Sequence, residues 1–404
     1  MDPLHNPFSP GAGAPPPELA GRDEILETAR IALHRIRAGR HERSQILLGL
    51  RCVGKTVLLN RIADVAEELR FQVVSLEAPE GQRLAAYLAP ALKSVLMRLD
   101  RVEKAKESVS RAVGALRGFA QVFEVSIGEV KIGVGEPTVA DSGNLQVDLP
   151  ALFQAVGQAA NAADACVAIL LDEIQYLSEE DLRALIVSLH VISQRGLPVV
   201  MFGAGLPQVA ALSGEAKSYA ERLFDFPTVG PLAPDAAQRA IEQPVRSEGA
   251  RIDTAALDSI VAVTKGYPYF LQEWGKHTWN AAGQSPITAA DVTAAGGSAM
   301  AALDKSFFRV RFDRLTPREH DYLRAMAELG VGPHRSGAIA EMLGRTVEST
   351  GPLRSALIRK GMVWSPAHGE TAFTVPLFDE FMRRAIPVWM APQDPIKRRV
   401  PPTA

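Results

Sequence analysis

The stretch QILLGLRCVGKTVLLNRIADV, residues 45–65, decides how this chain folds. Its apolar start predicts a buried strand, and the apolar spacing after residue 55 predicts an amphipathic helix. Between them, GLRCVGKT at 49–56 fits the pattern G-x-x-x-x-G-K-[ST] at every fixed position. A strand before and a helix after are the context in which this pattern binds phosphate. The sequence therefore predicts a nucleotide site, against the alternative of an ordinary strand–turn–helix corner that carries a lysine.

Each fixed residue of this loop has a physical role. Glycine at 49 and 54 lets the backbone curl so that its N–H groups point at an anion, and the following helix presents its positive end to the same anion. Lysine 55 reaches the β- and γ-phosphates, and the hydroxyl of threonine 56 binds Mg²⁺. The predicted nucleotide-binding residues of the loop are Gly49, Leu50, Arg51, Cys52, Val53, Gly54, Lys55, Thr56 and Val57.

A second segment, CVAILLDEIQYL at 166–177, supplies two carboxylates. Its apolar run is typical of a strand buried on both faces, as in a parallel sheet. Asp172 then stands at the carboxyl end of the strand, where ligands of open α/β sheets bind, and would hold Mg²⁺. Glu173 would orient or deprotonate the attacking water. The alternative is a pair of acids that caps the next helix. Both segments in this order favour an Mg-nucleoside-triphosphatase.

Length and composition limit the other possibilities. A chain of 404 residues suggests two or three domains. The net charge of −2 gives no global attraction to nucleic acid. Only two cysteines, Cys52 and Cys166, are present, which suits a reducing cytosol and predicts a cytoplasmic protein. No apolar run approaches the roughly 20 residues that span a bilayer, so no membrane partner is expected.

Alternating strands and helices up to about residue 230, followed by helices, predict an α/β fold: a P-loop parallel-sheet core, then a helical domain and a C-terminal winged-helix domain. Proline and glycine near the start predict a disordered tail. The predicted boundaries are 1–19 for the tail, 20–230 for the core with an insertion at about 85–147, 231–304 for the helical domain, 305–390 for a linker strut and winged helix, and 391–404 for a basic tail.

Two of these regions carry finer expectations. Alternating residues at 122–134 predict a β-hairpin in the insertion. In the strut, KSFFRVRFDRL at 305–315, we expect Phe307, Phe308 and Val310 to be buried. The winged-helix pattern rests on three helices and a hairpin within the C-terminal domain; the first helix begins after Thr316 as N-cap.

With these motifs the chain resembles ATPases of the AAA+/STAND division, close to the archaeal-type and origin-recognition-type ATPases with a C-terminal winged helix. The resemblance covers most of residues 20–390. It implies ATP and Mg²⁺ as cofactors and places Arg22, in the Gly-Arg-acid segment, beside the adenine. It also implies a polar "sensor" residue at the end of the next strand, where this sequence has only FGAG at 202–205.

The resemblance implies two further site residues. Arg222 stands where such proteins carry an arginine finger, which would act on the nucleotide of a neighbouring subunit in a homo-oligomer; the alternative is an ion pair with Glu221 or Asp225. Pro268 matches a G-x-P signature of STAND switch ATPases and would pack against the adenine or ribose. Tyr269 stands where a second sensor arginine is common. The missing sensors favour a slow nucleotide-dependent switch.

The C-terminal domain leaves its partner open between DNA and protein. The second helix of its helix-turn-helix pair, roughly residues 348–360, is the one that would enter the major groove. This helix presents Arg354, Arg359 and Lys360, and KRR follows at 397–399, so DNA contact through phosphates is favoured. Several nearby acids dilute this basic face. The predicted function is therefore a slow ATPase switch that couples ATP binding and hydrolysis to DNA contact. The alternative is a STAND-like signalling or scaffold ATPase whose winged helix binds a protein partner.

Overall fold

A parallel β-sheet is the centre of the first of two compact units, which comprises Gly21–Gly49 and Gly54–Gly230. The computed structural model describes residues 1–11, 13–128, 140–218 and 220–390. The strands of this unit are β1 (Ser44–Leu48), β2 (Gln72–Glu77), β3 (Val167–Asp172), β4 (Val199–Gly205) and β5 (Phe224–Asp225). They lie in the order β2-β3-β4-β1-β5, and all neighbours are parallel. The predicted α/β fold with a parallel-sheet P-loop core is confirmed.

Helices bury this sheet on both faces. Every residue of β1, β3 and β4 is buried, as the continuous apolar runs predicted. The helices of the unit are α1 (Asp23–Arg37), α2 (Lys55–Glu68), α3 (Leu84–Leu99), α4 (Lys106–Val122), α5 (Leu145–Ala162), α6 (Glu179–Gln194), α7 (Val209–Ala216) and α8 (Ala220–Leu223). Buried β1, β3 and β4 put their carboxyl ends side by side at one edge of the sheet.

The described part of the predicted insertion is largely helical and shares the core of this unit. On α4, Val109, Leu116 and Phe119 are fully buried in the same apolar cluster as the strands. The hairpin predicted at 122–134 is not formed in its described part, since Val122 ends α4 and 123–128 contain no strand. The alternating apolar residues of that part pack against the core instead of pairing as strands. Residues 129–134 lie outside the described residues.

The second compact unit, which we name the C-terminal unit, contains Met1–Ala20, Leu50–Val53 and the chain from Pro231. Its helices are α9 (Pro234–Ser247), α10 (Thr254–Thr264), α11 (Pro268–Ala281), α12 (Ala289–Leu303), α13 (Arg309–Phe312), α14 (Pro317–Glu328), α15 (Ser336–Met342), α16 (Val347–Arg359) and α17 (Phe378–Ala385). Three short strands, β6 (His334–Arg335), β7 (Val363–Trp364) and β8 (Glu370–Phe373), form an antiparallel sheet in the order β6-β8-β7. Thr316 caps α14 through a capping box with Glu319.

One apolar core joins the segments predicted as separate helical and winged-helix domains. Phe308 stacks on Phe381 with 5.2 Å between the ring centroids and contacts Phe270 and Phe378 by ring edges. These rings come from both sides of the predicted boundary at residue 304, and Phe308 itself belongs to the connecting segment. The division into 231–304 and 305–390 stays a prediction, and the basic tail 391–404 lies outside the described residues.

The connecting segment is helical, which changes the expected burial. A π-helical turn, Asp304–Phe308, leads into α13. Phe307 and Phe308 are buried as expected, but Val310 is 57% exposed, so its predicted burial is wrong. Residues two apart in a helix point to nearly opposite sides, so Val310 faces away from the core that buries Phe308.

The N-terminal segment is packed rather than loose. Phe8 is 4% exposed and lies against Gly275 of α11, where a Cβ would come within 2.7 Å of its ring. The side-chain amide of Asn6 donates to the carbonyl of Lys276 at 2.9 Å, and the indole N–H of Trp279 donates to the carbonyl of Asp2. The structure thus differs from the disordered tail predicted for 1–19, because one aromatic anchor and a few hydrogen bonds outweigh a composition rich in proline and glycine.

None of the helices in the described part of the chain is long and apolar enough to cross a membrane.

Candidate nucleotide-binding site

The phosphate-binding loop runs from the end of β1 to the start of α2. Gly54 is the N-cap of α2 and has a φ of 87°, a left-handed conformation that glycine adopts without strain. Lys55 and Thr56 are the first residues of the helix, so they stand at its positive end. The ammonium group of Lys55 donates to the carbonyl of Gly49 at 3.0 Å. The loop therefore has the curled shape that the sequence predicted.

Thr56 and Asp172 are in contact at the carboxyl ends of the parallel strands. The hydroxyl of Thr56 donates to Oδ2 of Asp172 at 2.6 Å, and the backbone N–H of Glu173 donates to Oδ1 at 2.7 Å. Asp172 ends β3 and is only 7% exposed. Burial raises the pKa of this carboxyl, and the two hydrogen bonds oppose that rise. The two side chains predicted to bind Mg²⁺ are thus in direct contact.

Glu173 follows β3 in a left-handed conformation, with a φ of 54°. Its Oε2 accepts a hydrogen bond from the side-chain amide of Gln175, which lies in the helical turn Ile174–Tyr176. A non-glycine residue in this conformation costs about 1–2 kcal/mol, and such strain is common at functional sites. Sequence reasoning missed Gln175, although the amide two positions after the acid pair was the available signal.

Glycines form the end of β4, where the resemblance implied a polar side chain. A Cβ on Gly203 would lie 2.3 Å from Cδ1 of Ile174, and a Cβ on Gly205 would lie 3.1 Å from Oε1 of Gln175. Any larger residue would collide with the turn that follows β3. Close packing against the turn after β3 therefore explains why β4 ends in glycines and carries no polar sensor side chain.

Arg22 is held within its own unit. Its guanidinium donates to the carbonyl of Gly230, and it is 8% exposed. Burial lowers the pKa of this group. Arg22 precedes α1 as its N-cap residue. The predicted place beside an adenine stays a proposal.

Arg222 is exposed at the end of α8. The ion pair weighed as its alternative is not formed among the described residues, since Asp225 pairs instead with Arg43 at 3.1 Å. An exposed arginine on a short helix leaves the predicted arginine finger as a proposal.

Pro268 and Tyr269 begin α11 in the C-terminal unit, and Pro268 is half-buried. The glycine of the G-x-P signature is needed for packing, because a Cβ on Gly266 would lie 2.5 Å from the carbonyl oxygen of Leu232. The hydroxyl of Tyr269 donates to Glu273 at 3.3 Å. Burial and this carboxylate raise the pKa of Tyr269 to about 12. Contact of Pro268 with a nucleotide stays a proposal.

The middle of the phosphate-binding loop, Leu50–Val53, belongs by its contacts to the C-terminal unit. The backbone N–H of Arg51 donates to the carbonyl of Thr374 at 3.1 Å, and its side chain donates to the carbonyl of Gly361 at 3.3 Å. The N–H of Tyr269 donates to the carbonyl of Cys52 at 3.4 Å. Residues of the second compact unit thus hydrogen-bond to the backbone of the loop.

Residues 18–202, which contain β1 to β3 and most of β4, match the family model described as AAA ATPase domain. Residues 18–202 are therefore an AAA ATPase domain. The match covers both the phosphate-binding loop and the acid pair, so the predicted AAA+ resemblance of the core, ATP binding and ATPase activity are confirmed. A second model, described as Domain of unknown function (DUF8462), matches residues 305–382.

Solved structures share the fold of this chain. A Walker-type ATPase of Pyrococcus abyssi is 16% identical, with a TM-score of 0.56 over 92% of this chain and 98% of that chain. The ORC2 protein of Aeropyrum pernix, solved as ADPNP–ADP complexes, is 17% identical, with a TM-score of 0.51 over 94% of this chain and 98% of that chain. At these identities the likeness shows the fold alone. None of the curated proteins matches the sequence.

Proposed function

We propose that this ATPase is a slow, Mg-ATP-dependent switch. The contact between Thr56 and Asp172 carries the proposal, because a hydroxyl and a carboxylate oxygen are the hard ligands that Mg²⁺ prefers. Mg²⁺ bound there would neutralise charge on the β- and γ-phosphates, which Lys55 also contacts. Glu173 orients the attacking water and takes its proton. Binding of adenine nucleotides by the ORC2 relative supports ATP as the ligand.

Slow turnover follows from the polar groups that this site lacks. Gly203 and Gly205 occupy the end of β4, and Tyr269 stands where the resemblance implied an arginine. Charge that develops on the transferred phosphoryl group is therefore stabilised mainly by Lys55 and Mg²⁺. We expect ATP to stay bound for a long time before it is hydrolysed, which suits a switch better than a motor.

The contacts of Leu50–Val53 support an output through the C-terminal unit. N–H groups of a phosphate-binding loop point at the phosphate when nucleotide is bound. In this structure the N–H of Arg51 donates to Thr374, so binding of phosphate competes with that hydrogen bond. The nucleotide state and the position of Thr374, directly after β8, are thereby coupled.

The contacts of α16 favour a protein partner over the DNA that the sequence favoured. We propose that 305–390 is a winged helix, as its order of elements suggests. The guanidinium of Arg354 is committed to Thr371, Ser365 and the carbonyl of Glu370. Lys360 pairs with Glu319 at 2.8 Å. Two of the three cations that were expected to contact phosphates therefore stabilise the domain itself.

Two measurements on the full chain test this function. The first is the turnover number, which we expect to be below about 1 s⁻¹, the low end for enzymes. The second is anisotropy of labelled duplex DNA at several salt concentrations with ATP, ADP or no nucleotide, using Glu173→Gln to retain ATP. Nucleotide-dependent binding whose logarithm falls steeply with log salt would replace the protein partner with DNA. Turnover of hundreds per second would exclude the slow switch.

A further inference from the structure

We infer that Gln175 is a positioning residue for ATP hydrolysis, because its amide connects Glu173 to the end of β4. Its Nε2 donates to Oε2 of Glu173. Its Oε1 accepts from the backbone N–H of Leu206, the residue after β4, at 3.0 Å. Both hydrogen bonds lie within the first unit, and together they fix both ends of one planar amide group.

The fold makes room for this amide. A Cβ on Gly205 would lie 3.1 Å from Oε1 of Gln175 and 2.8 Å from Cγ2 of Val209. A side chain at that position would therefore push the amide away from Leu206. Gly203 likewise leaves space for Ile174, the residue before the amide. The hydrogen bonds of Gln175 therefore depend on glycine at positions 203 and 205.

The chemical role follows from how a carboxylate works as a base. Glu173 is attached to the chain through flexible bonds and has two equivalent oxygens. The hydrogen bond from the amide to Oε2 holds the carboxylate in one orientation, from which it would orient the water and accept its proton. Preorganisation of this kind speeds the chemical step and leaves binding of the substrate unchanged, since both hydrogen bonds of the amide are made to groups of the protein.

The hydrogen bond from the N–H of Leu206 allows the effect of Gln175 on hydrolysis to be separated from its effect on folding stability. Gln175→Leu removes both hydrogen bonds and leaves the N–H of Leu206 without its acceptor. Gln175→Glu keeps an acceptor for Leu206 and loses the donor to Glu173. A positioning role therefore requires both variants to be impaired in hydrolysis, and only the first to lose stability through the unsatisfied N–H.

The test is single-turnover hydrolysis of ATP by the full chain, together with ATP affinity and thermal unfolding. This inference rests on hydrolysis at the Thr56–Asp172 site. We expect both variants to lower the single-turnover rate by about 10- to 100-fold, the usual effect of removing a residue that orients a site ligand, with ATP affinity within about twofold. The matched control is Gln208→Leu, a nearby amide whose Oε1 accepts no hydrogen bond from the described residues; its rate should not change.

A double variant gives an independent readout. If Gln175 acts through Glu173, then Gln175→Leu should add no further loss in a Glu173→Gln background, whereas independent effects would multiply. Wild-type hydrolysis that Gln175→Leu and Gln175→Glu leave unchanged would overturn this inference alone. A wild-type protein that binds ATP but never hydrolyses it would overturn the function of the site, and the inference with it.

Discussion

The hydroxyl of Thr56 donates to the carboxylate of Asp172 across 2.6 Å, which joins the start of α2 to the end of β3. This contact brings together side chains that lie far apart in the sequence. A divalent cation with oxygen ligands would take the place of the shared proton. The hydrogen bond therefore holds the two proposed Mg²⁺ ligands next to each other in the nucleotide-free protein.

Lys55→Ala should lower ATP affinity by roughly 1.5–3 kcal/mol, about 10- to 150-fold, the size of a hydrogen bond to a charged group. The reason is that Lys55 supplies the charge at the phosphate-binding loop. Titration with a fluorescent ATP analogue measures the change. Lys93→Ala is the matched control, because Lys93 also donates to a backbone carbonyl, that of Ile127, but lies on α3. Equal affinity of the two variants would contradict the nucleotide site.

Asp172→Asn should raise the melting temperature of the nucleotide-free protein at neutral pH. Burial raises the folded pKa of Asp172 above its unfolded value. Stability associated with its protonated form is therefore full below the unfolded pKa and lost as pH rises through the folded pKa. The neutral amide removes that loss, so the gain should disappear in acid. Differential scanning calorimetry at several pH values measures it.

The same variant should lose Mg²⁺-dependent ATP binding, because the ligand carboxylate is gone. Asp148→Asn provides the contrast. The carboxylate of Asp148 accepts the N–H groups of Ser142 and Gly143, so its loss should lower the melting temperature. A fall in melting temperature for Asp172→Asn would show that its carboxylate is stabilising rather than poised for a metal.

Arg222→Ala should slow hydrolysis by at least about tenfold, well under the roughly 10³- to 10⁵-fold that arginine fingers supply in other phosphoryl-transfer proteins. Its exposure on α8 is what a residue acting on a neighbouring subunit requires. A mixture of Arg222→Ala and Glu173→Gln chains should hydrolyse ATP faster than either alone, because one supplies the arginine and the other the intact site. No gain on mixing would exclude action between subunits.

Arg354→Ala should destabilise the C-terminal unit by about 1–3 kcal/mol, since it removes a hydrogen-bond donor from the buried hydroxyl of Thr371 and one of the two donors to the carbonyl of Glu370. Arg359→Ala should change stability by less than about 0.5 kcal/mol, as is usual for an exposed side chain. Urea denaturation compares the two. The opposite order would mean that the guanidinium of Arg354 faces solvent, free for a nucleic acid.

Phe8→Ala should release the N-terminal segment, at a cost of about 3 kcal/mol, the low end for loss of a buried phenylalanine. Amide exchange of residues 2–9 should accelerate, and the fluorescence of Trp279 should shift to the red as the indole becomes hydrated. Leu4→Ala serves as control, because Leu4 is 92% exposed. Unchanged exchange in Phe8→Ala would mean that hydrogen bonds alone hold the segment.

The sequence predicted those features that depend on neighbours along the chain. The curled loop before Lys55 and the buried strand before Asp172 follow from local patterns, which is why the core of the site was predictable. The change near residue 230 from alternating strands and helices to helices alone was likewise predicted, and α9 to α12 follow it. Local patterns carry this information because strands and helices have fixed periods.

Features that depend on contacts distant in the sequence were not predictable. Phe8 is buried only because Gly275 leaves space for its ring, and Gln175 reaches Leu206 only because β3 and β4 are neighbours in the sheet. Val310 was misplaced because burial was inferred without the helical geometry of its segment. In each case the deciding atom belongs to another element, which no single stretch of sequence contains.

The packing of Phe8 against α11 has a consequence for synthesis of the chain. The first compact unit is complete once residue 230 has left the ribosome, whereas the second needs both the earliest residues and the chain beyond Pro231. Domains fold as units while translation proceeds. The N-terminal segment is therefore made before α11 and stays exposed to chaperones and proteases until α11 has been made.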